Sequence, residues 1–256
     1  WYRSHAIEFG WEGKWMRRET TEWGSITRVN PFPGSDKRNL VRRALGFAGF
    51  SVLAGIASIR GGRVDAVIAM SPPLTLGLTG WGTHVIRRGP LIFNIQDVFP
   101  DAAVETGAIT NRWVIAGARR LERISYHRAA AVTALSADLG DNIAAKMRSS
   151  RRGRVRVIPN FVDTDAIRPQ DRMTELRREL GIGSETVVLY AGNVGFSQSL
   201  EMVIAAAKAL PLLTFVINGD GAARASLGDL ADGLANVRFS GYQPPERLSE
   251  VLATGD

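Results

Sequence analysis

Seven short apolar runs constrain this chain more than any other feature. They are "VDAVIAM" (64–70), "LIFNI" (91–95), "AAVTAL" (130–135), "VRVIP" (155–159), "TVVLYAG" (186–192), "LTFVING" (213–219) and "NVRFSG" (236–241). They lack the polar alternation of a sheet with one wet face. Continuous runs of this length suit strands of a parallel sheet covered on both faces. Helical stretches separate them, at 40–60, 74–87, 111–128, 137–148, 199–209, 222–232 and 245–254. One of these, "SADLGDNIAAKM", opens with a Ser/Asp cap signal. Strand and helix in alternation predict an α/β fold with doubly wound sheets.

The rhythm breaks once. "RPQDRMTELRRELGIGSE" (168–185) is charged, then glycine-rich, and the strand–helix alternation restarts after it. It reads as a short helix followed by a domain boundary, which gives domains at 1–180 and 181–256. Charge supports the division. Residues 181–256 hold four Lys/Arg against eight Asp/Glu, so the net +7 of the chain rests on residues 1–180. A basic surface attracts nucleic acid, anionic lipid or phosphorylated substrates without choosing among them. Nucleic acid ranks last, because no recognised module interleaves aromatic and basic residues. Residues 1–25 are Trp-rich and charged and read as irregular, without an opening strand. The second half offers three strands where a doubly wound domain usually has five or six. Both ends look cut.

Several classes of site are excluded or weakened. With no cysteine, disulfides and Cys-based zinc sites are out. His5, His84 and His127 lack metal-ligand spacing. The first residues have no continuous apolar core of the signal-peptide kind. The stretch "ALGFAGFSVLAGIASI" (44–59) is too short to span a bilayer. A buried helix or a membrane-surface helix both remain open for it.

Ligands of open α/β sheets bind at the carboxyl ends of strands, so the residues after each run matter most. "GNVGFSQSLE" follows one strand, with Gly192, Asn193 and Gly195, and "GDGAARASL" follows the next, with Gly219, Gly221 and Arg224. Each is a tight strand–helix turn or half of a phosphate cradle. Two in consecutive units favour the cradle. In the first half, Ser71-Pro72-Pro73 follows one strand and "QDVFPD" the next, placing Asp97 at a strand end. Asp97 is a turn former or a functional carboxylate. Lys37, Arg38, Arg42 and Arg43 are a solvated charge run or a grip on a phosphate or lipid headgroup. In "VRVIPNFVDTDAI" (155–167), Asp163 and Asp165 form a D-x-D pair that reads as a metal grip, a hinge or a turn.

The order "VIPNFVD…P", "LYAGNVGFSQSLE", "INGDGAARASL", "VRFSGYQPPERLSEVLATGD" resembles the family-4 glycosyltransferases. "MSPPL", "NIQDVFPDAAVETGAI" and "VTALSADL" in the first half support it, and the resemblance covers nearly the whole chain. The nearest subgroup in pattern is the bacterial enzymes of exopolysaccharide and lipopolysaccharide O-antigen assembly, including N-acetylfucosamine transferase-like members. The resemblance implies a GT-B fold, with two Rossmann-like domains facing across a cleft, both truncated here. It implies a retaining transferase that moves a sugar from a UDP-linked donor to a lipid-linked or polysaccharide acceptor. It also implies a cytoplasmic protein, peripheral on the inner face of the bacterial membrane, with no metal and no cofactor.

The same resemblance assigns roles. Gly192, Asn193, Gly195, Gly219, Gly221 and Arg224 surround the donor diphosphate, and Gly241, Tyr242 and Gln243 lie near base and ribose. Lys37, Arg38, Ser71, Pro72 and Pro73 bind the acceptor, and Asp97 faces the reacting sugar. Asn160 acts between the domains, and Asp163 and Asp165 organise a turn. The chain also departs from the pattern. Asn193 and Gln198 stand where many members carry Arg and Lys against the diphosphate, and the family's Glu-rich donor motif should lie beyond Asp256. The chain therefore reads as a piece of a longer enzyme. Two other readings stay open: a UDP-sugar epimerase of the same fold, and a non-catalytic homologue in a membrane polysaccharide-assembly complex.

Overall fold

The computed structural model describes residues 14–30, 40–60, 62–105, 107 and 109–256. The chain divides at Asn160 into two compact units, Trp1–Asn160 and Phe161–Asp256.

The first unit has a four-stranded parallel sheet. Its strands lie in chain order: β3 (Val67–Ser71), β4 (Leu91–Ile95), β5 (Ala131–Ala134) and β6 (Val155–Val157). The helices are α1 (Leu40–Ser58), α2 (Leu76–Arg87), α3 (Asp101–Glu105), α4 (Arg112–Arg128) and α5 (Ala137–Ala145). Leu91, Phe93, Ile95, Val132 and Ala134 project from the strands into one core with Tyr126, Ile143 and Met147. Gly77 lets α2 lie close to α4, and Gly80 lets it lie close to this sheet. A methyl on Gly77 would sit 2.4 Å from Ser125 Oγ, and one on Gly80 2.7 Å from Leu91 Cδ1. The cap expected on "SADLGDNIAAKM" is present: Ser136 Oγ accepts from Leu139 N at 3.3 Å.

Ahead of that sheet lies an antiparallel hairpin, β1 (Met16–Thr21) and β2 (Gly24–Val29), where irregular chain was expected. The run "RRETTEWGSITRV" carries β-branched residues on both sides of a short turn, which is a hairpin signal. Its Trp and charges obscure that signal. Arg28 pairs with Glu19 across the two strands at 3.1 Å.

The second unit has a three-stranded parallel sheet, β7 (Val187–Ala191), β8 (Thr214–Asn218) and β9 (Val237–Ser240). Its helices are α6 (Glu175–Glu179), α7 (Glu201–Ala209), α8 (Arg224–Leu230) and α9 (Leu248–Ala253). Val194, Ile204, Phe215, Ile217 and Leu227 fill one face, and Ile182, Val187 and Val216 the other. Burial on both faces explains why these strands read as unbroken apolar runs.

The division falls earlier in the chain than the boundary expected at 180/181. The segment that reads as a linker is fastened to the second unit. Arg177 is fully buried there. It donates to Thr254 O at 3.1 Å, to Gly183 O at 2.9 Å, to Glu185 O at 3.1 Å and to Asp256 Oδ2 at 2.6 Å. Thr174 pairs with Thr254 at 2.8 Å, and Leu176 N donates to Glu250 Oε1 at 2.9 Å. Of its eight charged residues Arg177 alone is buried, and that one side chain ties the segment down.

Candidate active site

The three loops at the carboxyl edge of the β7–β8–β9 sheet interlock through their backbones. Gly192 N donates to Asn218 O, Val194 N to Asp220 O, and Gly219 N to Ser240 O, each at 3.0 Å. Ala223 N returns to Val194 O at 3.0 Å. Two glycines make this approach possible. Gly219 has φ +129°, and a methyl there would lie 1.9 Å from Gly192 O. A methyl on Gly221 would lie 2.3 Å from Val194 O. No side chain fits at either position without moving backbone. Two of the glycines read as a cradle in the sequence, Gly219 and Gly221, are therefore points where two loops touch.

Side chains complete the rim. Tyr190 Oη donates to Asn193 O at 2.8 Å and fixes the first loop. Around Gly195 the side chains of Asn193 and Gln198 crowd in, each with an atom 2.7 Å from where a methyl would be. Asn218 is buried and joins the second loop to the third: its Nδ2 donates to Ser240 Oγ at 3.1 Å and Gly241 O at 3.0 Å. Gln243 Nε2 donates to Ser240 Oγ at 3.3 Å, and its Oε1 accepts from Arg247 Nη1 at 3.0 Å. Arg247 is held by Glu250 at 2.8 Å and Glu179 at 3.0 Å. The hydrogen bond from Arg247 holds the Glu250 carboxyl below its usual range. Tyr242 is half exposed beside Gly241.

Arg224 opens α8, and its guanidinium stacks 3.9 Å from the centroid of the Phe239 ring. It is anchored at the loop cluster rather than extended into water. Asn218, Ser240, Tyr190 and Arg247 support the site and were not singled out from sequence. The Asn-Gly pair ending "LTFVING" is the signal that points to Asn218.

At the carboxyl edge of the first sheet, Ser71 is buried, and its carbonyl accepts from Gln96 N at 3.2 Å. Pro72 and Pro73 follow and lead to α2. Asp97 is exposed, and among the described residues its carboxylate has no hydrogen-bond or ion-pair partner. Its side chain does not form the turn. Asn160 Nδ2 donates to Gln96 Oε1 at 3.2 Å, and Gln96 Nε2 to Asn94 Oδ1 at 2.6 Å. The described bond of Asn160 thus stays inside the first unit. Asp163 organises a turn: its Oδ1 accepts from Asp165 N at 2.9 Å and Ala166 N at 3.1 Å. Asp165 gives that turn only its N–H. Lys37 and Arg38 lie outside the described residues.

One buried polar cluster sits away from both edges. Glu122 is almost fully buried, and it accepts from Lys146 Nζ at 2.8 Å and from Tyr126 Oη at 2.9 Å. Burial, then the Glu122 charge, push the Tyr126 phenol far above its ordinary value, so it stays a donor. Lys146 also reaches Asp101 at 2.6 Å. Each charge has a partner, and the cluster ties α3, α4 and α5 together as structure.

Comparison with known proteins agrees with this architecture. The chain is 26% identical over 204 residues to the sulfoquinovosyl transferase SQD2 of Arabidopsis thaliana, a match covering 78% of this chain and 39% of that protein. It is 26% identical over 268 residues to the putative colanic acid biosynthesis glycosyl transferase WcaI of Escherichia coli K12, covering 96% of this chain and 62% of that one. It thus spans less than two thirds of the length of each. Among solved structures, HepE of Anabaena in complex with UDP and glucose superposes with a TM-score of 0.59 at 17% identity, over 81% of this chain and 54% of that chain. TarM of S. aureus superposes with a TM-score of 0.51 at 14% identity, over 75% of this chain and 36% of that chain. These neighbours share the α/β, GT-B glycosyltransferase fold with parallel sheets. Residues 9–160 match the Glycosyl transferase 4-like domain, and the chain belongs to that family.

Proposed function

We propose that this protein acts in a retaining glycosyltransferase that moves a sugar from a UDP-linked donor to a lipid-linked or polysaccharide acceptor. The observation that carries the reading is the interlocked loop cluster at the carboxyl edge of β7, β8 and β9. It brings seven of the expected donor residues to one sheet edge: Gly192, Asn193, Gly195, Gly219, Gly221, Gly241 and Gln243. Backbone-lined glycine loops at such an edge suit a diphosphate. Arg224, at the start of α8, supplies a cation beside it. HepE was solved with UDP and glucose and with UDP-glucose, which supports the donor class. WcaI, named for colanic acid biosynthesis, supports an exopolysaccharide acceptor and a bacterial setting. The N-acetylfucosamine-type donor implied by the sequence resemblance stands as the narrower proposal. A lipid-linked acceptor places the protein at the inner face of the cytoplasmic membrane.

In this reading the second unit holds the donor. The loop amides and Arg224 stabilise charge on the leaving diphosphate, and Tyr242 and Gln243 orient base and ribose. The first unit holds the acceptor through Lys37, Arg38 and the Ser71-Pro72-Pro73 turn, with Asp97 beside the reacting sugar. The acceptor oxygen bonds to the anomeric carbon on the face from which the diphosphate leaves, the bond from that carbon to the diphosphate oxygen breaks, and the leaving phosphate takes the acceptor proton, so configuration is retained. The protein's work is then positioning and charge stabilisation.

Calorimetric titration of UDP tests this. Arg224→Ala should weaken affinity about ten- to a hundred-fold, the worth of one charge-assisted contact. UDP binding that is absent from the wild type would refute the donor reading. Unchanged binding in the variant would reduce Arg224 to its stack on Phe239.

A further inference from the structure

Helices α1 and α2 pack with their polarity reversed. Their seam is built from hydroxyls. Ser51 Oγ lies 2.6 Å from Thr75 Oγ1, and Ser58 Oγ 2.6 Å from Thr83 Oγ1. Thr79 Oγ1 donates to Ser51 O at 3.1 Å. Between the two serines lies Gly55, where a methyl would make ordinary contact with Thr79 Cγ2 at 3.5 Å. The aliphatic residues face outward instead. Leu45, Val52, Ile56 and Ile59 recur at helical spacing along α1 and its end, and all are exposed, Val52 by 62%. On α2, Leu78, Val85 and Ile86 are exposed, the last two by 59% and 60%.

In water a helix pair hides its aliphatic stripe and shows its hydroxyls. Small and hydroxyl residues at the seam with aliphatics outside suit helices surrounded by an apolar medium. Yet no described helix is long and apolar enough to cross a membrane. Charge narrows the occupant further. Between residues 40 and 88 the sequence has one acidic residue, Asp65, against Arg42, Arg43, Arg60, Arg63, Arg87 and Arg88. Arg60, Arg63 and Arg88 are exposed. Arg87 links the ends of the two helices, donating to Ser58 O at 2.9 Å and Gly62 O at 2.6 Å. Arg60, Arg63, Arg87 and Arg88 thus gather where both helices end. A second copy of this face would set arginine against arginine. An anionic bilayer answers both features: acyl chains for the stripe and phosphates for the arginines.

We propose that the α1–α2 face is a docking surface for an anionic lipid bilayer. It lies in the interface with Val52, Ile56, Val85 and Ile86 in the acyl boundary and Arg60, Arg63 and Arg88 among headgroups. This locates the membrane contact of the proposed function and rests on that reading only for the acceptor's identity. Binding is measured without donor or acceptor, so the two readings fail separately.

The test is sedimentation of the purified protein with phosphatidylcholine vesicles and with phosphatidylcholine–phosphatidylglycerol vesicles. The wild type should bind both, and the anionic ones more tightly. Val52→Asp/Ile86→Asp alters two exposed positions and should keep the circular dichroism and UDP affinity of the wild type. Its partitioning should fall at least about tenfold on both vesicles, as burying charge in the acyl boundary demands. Arg60→Glu/Arg63→Glu should lose only the anionic excess, as should wild type in high salt. Three results would overturn the proposal. One is wild-type protein that stays in the supernatant with both vesicles. Another is an aspartate variant that sediments like the wild type. The last is lipid-free self-association that the aspartate variant abolishes, which would assign the face to a second copy.

Discussion

Replacing Arg177 by Met should unfold the second unit selectively. Arg177 is fully buried and donates four hydrogen bonds, three to backbone carbonyls and one to Asp256. Methionine fills a similar volume but takes the arginine donor from all three carbonyls and leaves Asp256 with Val187 N and Arg172 alone. Removing one partner of a buried ion pair costs about 3–5 kcal/mol, and each stranded buried acceptor about 1–3 kcal/mol. The carbonyls of Gly183 and Glu185 lie in loops that relax toward water, so a loss of about 3–5 kcal/mol overall is expected. With a urea slope of about 1.5 kcal/mol/M, typical of a small domain, the midpoint falls by roughly 2–3 M. The assay has a built-in division. All six tryptophans lie in residues 1–160, so their fluorescence follows the first unit, while far-ultraviolet circular dichroism follows both. The dichroism should lose part of its amplitude early, with the fluorescence midpoint unchanged. Arg177→Lys keeps the charge but not the planar fork, and should fall between wild type and Met. Acid should act on the same fastening. The Val187 N–H, then Arg172 and Arg177, hold the Asp256 carboxyl down from 3.8 to about 2. A lowered carboxylate stabilises fully above its unfolded value and loses that effect as pH falls through the folded one. Second-unit stability should therefore decline between about pH 4 and pH 2, and the decline should shrink in the Met variant. A Met variant with wild-type dichroism at all urea concentrations would refute the reasoning.

Two further outcomes follow from the loop cluster and the first sheet edge. Gly221→Ala should cut UDP affinity at least about tenfold, because its methyl would lie 2.3 Å from Val194 O and must push two loops apart; calorimetry decides, and wild-type affinity would mean the cluster does not hold the donor. Asp97→Asn should lower kcat for sugar transfer with donor affinity kept, the pattern of a group that acts near the transition state; equal turnover would make Asp97 an exposed bystander.

The strands were legible as unbroken apolar runs, most plainly β4 and β8, which have no exposed position. "LIFNI" became Leu91–Ile95 and "LTFVING" became Thr214–Asn218, within a residue or two of the apolar run. The glycine loops were legible as loops, but not as contacts with each other. Nothing in "GNVG" and "GDGA" says that Val194 O and Gly221 meet, since that depends on the register of β7 against β8. The hairpin at Met16–Val29 was hidden by its own composition, because a ribbon with little buried surface alternates charge with threonine. Arg224 carried a further ambiguity. Its place at the start of α8 is a matter of sequence, but its stack on Phe239 depends on strand β9 arriving beside it.

The boundary between the units shows why composition misleads at such a point. A run such as "RPQDRMTELRREL" has the charge of a linker, and linkers are usually read from charge and glycine. Charge predicts exposure only when no partner is near. Arg177 met Asp256 and three carbonyls, Arg172 met Asp256, and Arg247 met Glu179. Gly183 and Glu185 are close in sequence, but Thr254, Asp256 and Arg247 lie far along the chain, so no window of local sequence contains them. What local sequence does contain is "LRREL", where Leu176 and Leu180 stand four apart on the inner face of a short helix. That spacing marks a helix with something to pack against. Given that spacing, the segment belongs to the unit that follows it, and the change of unit falls at Pro159-Asn160, where the β6 strand has ended and the Asp163 turn begins.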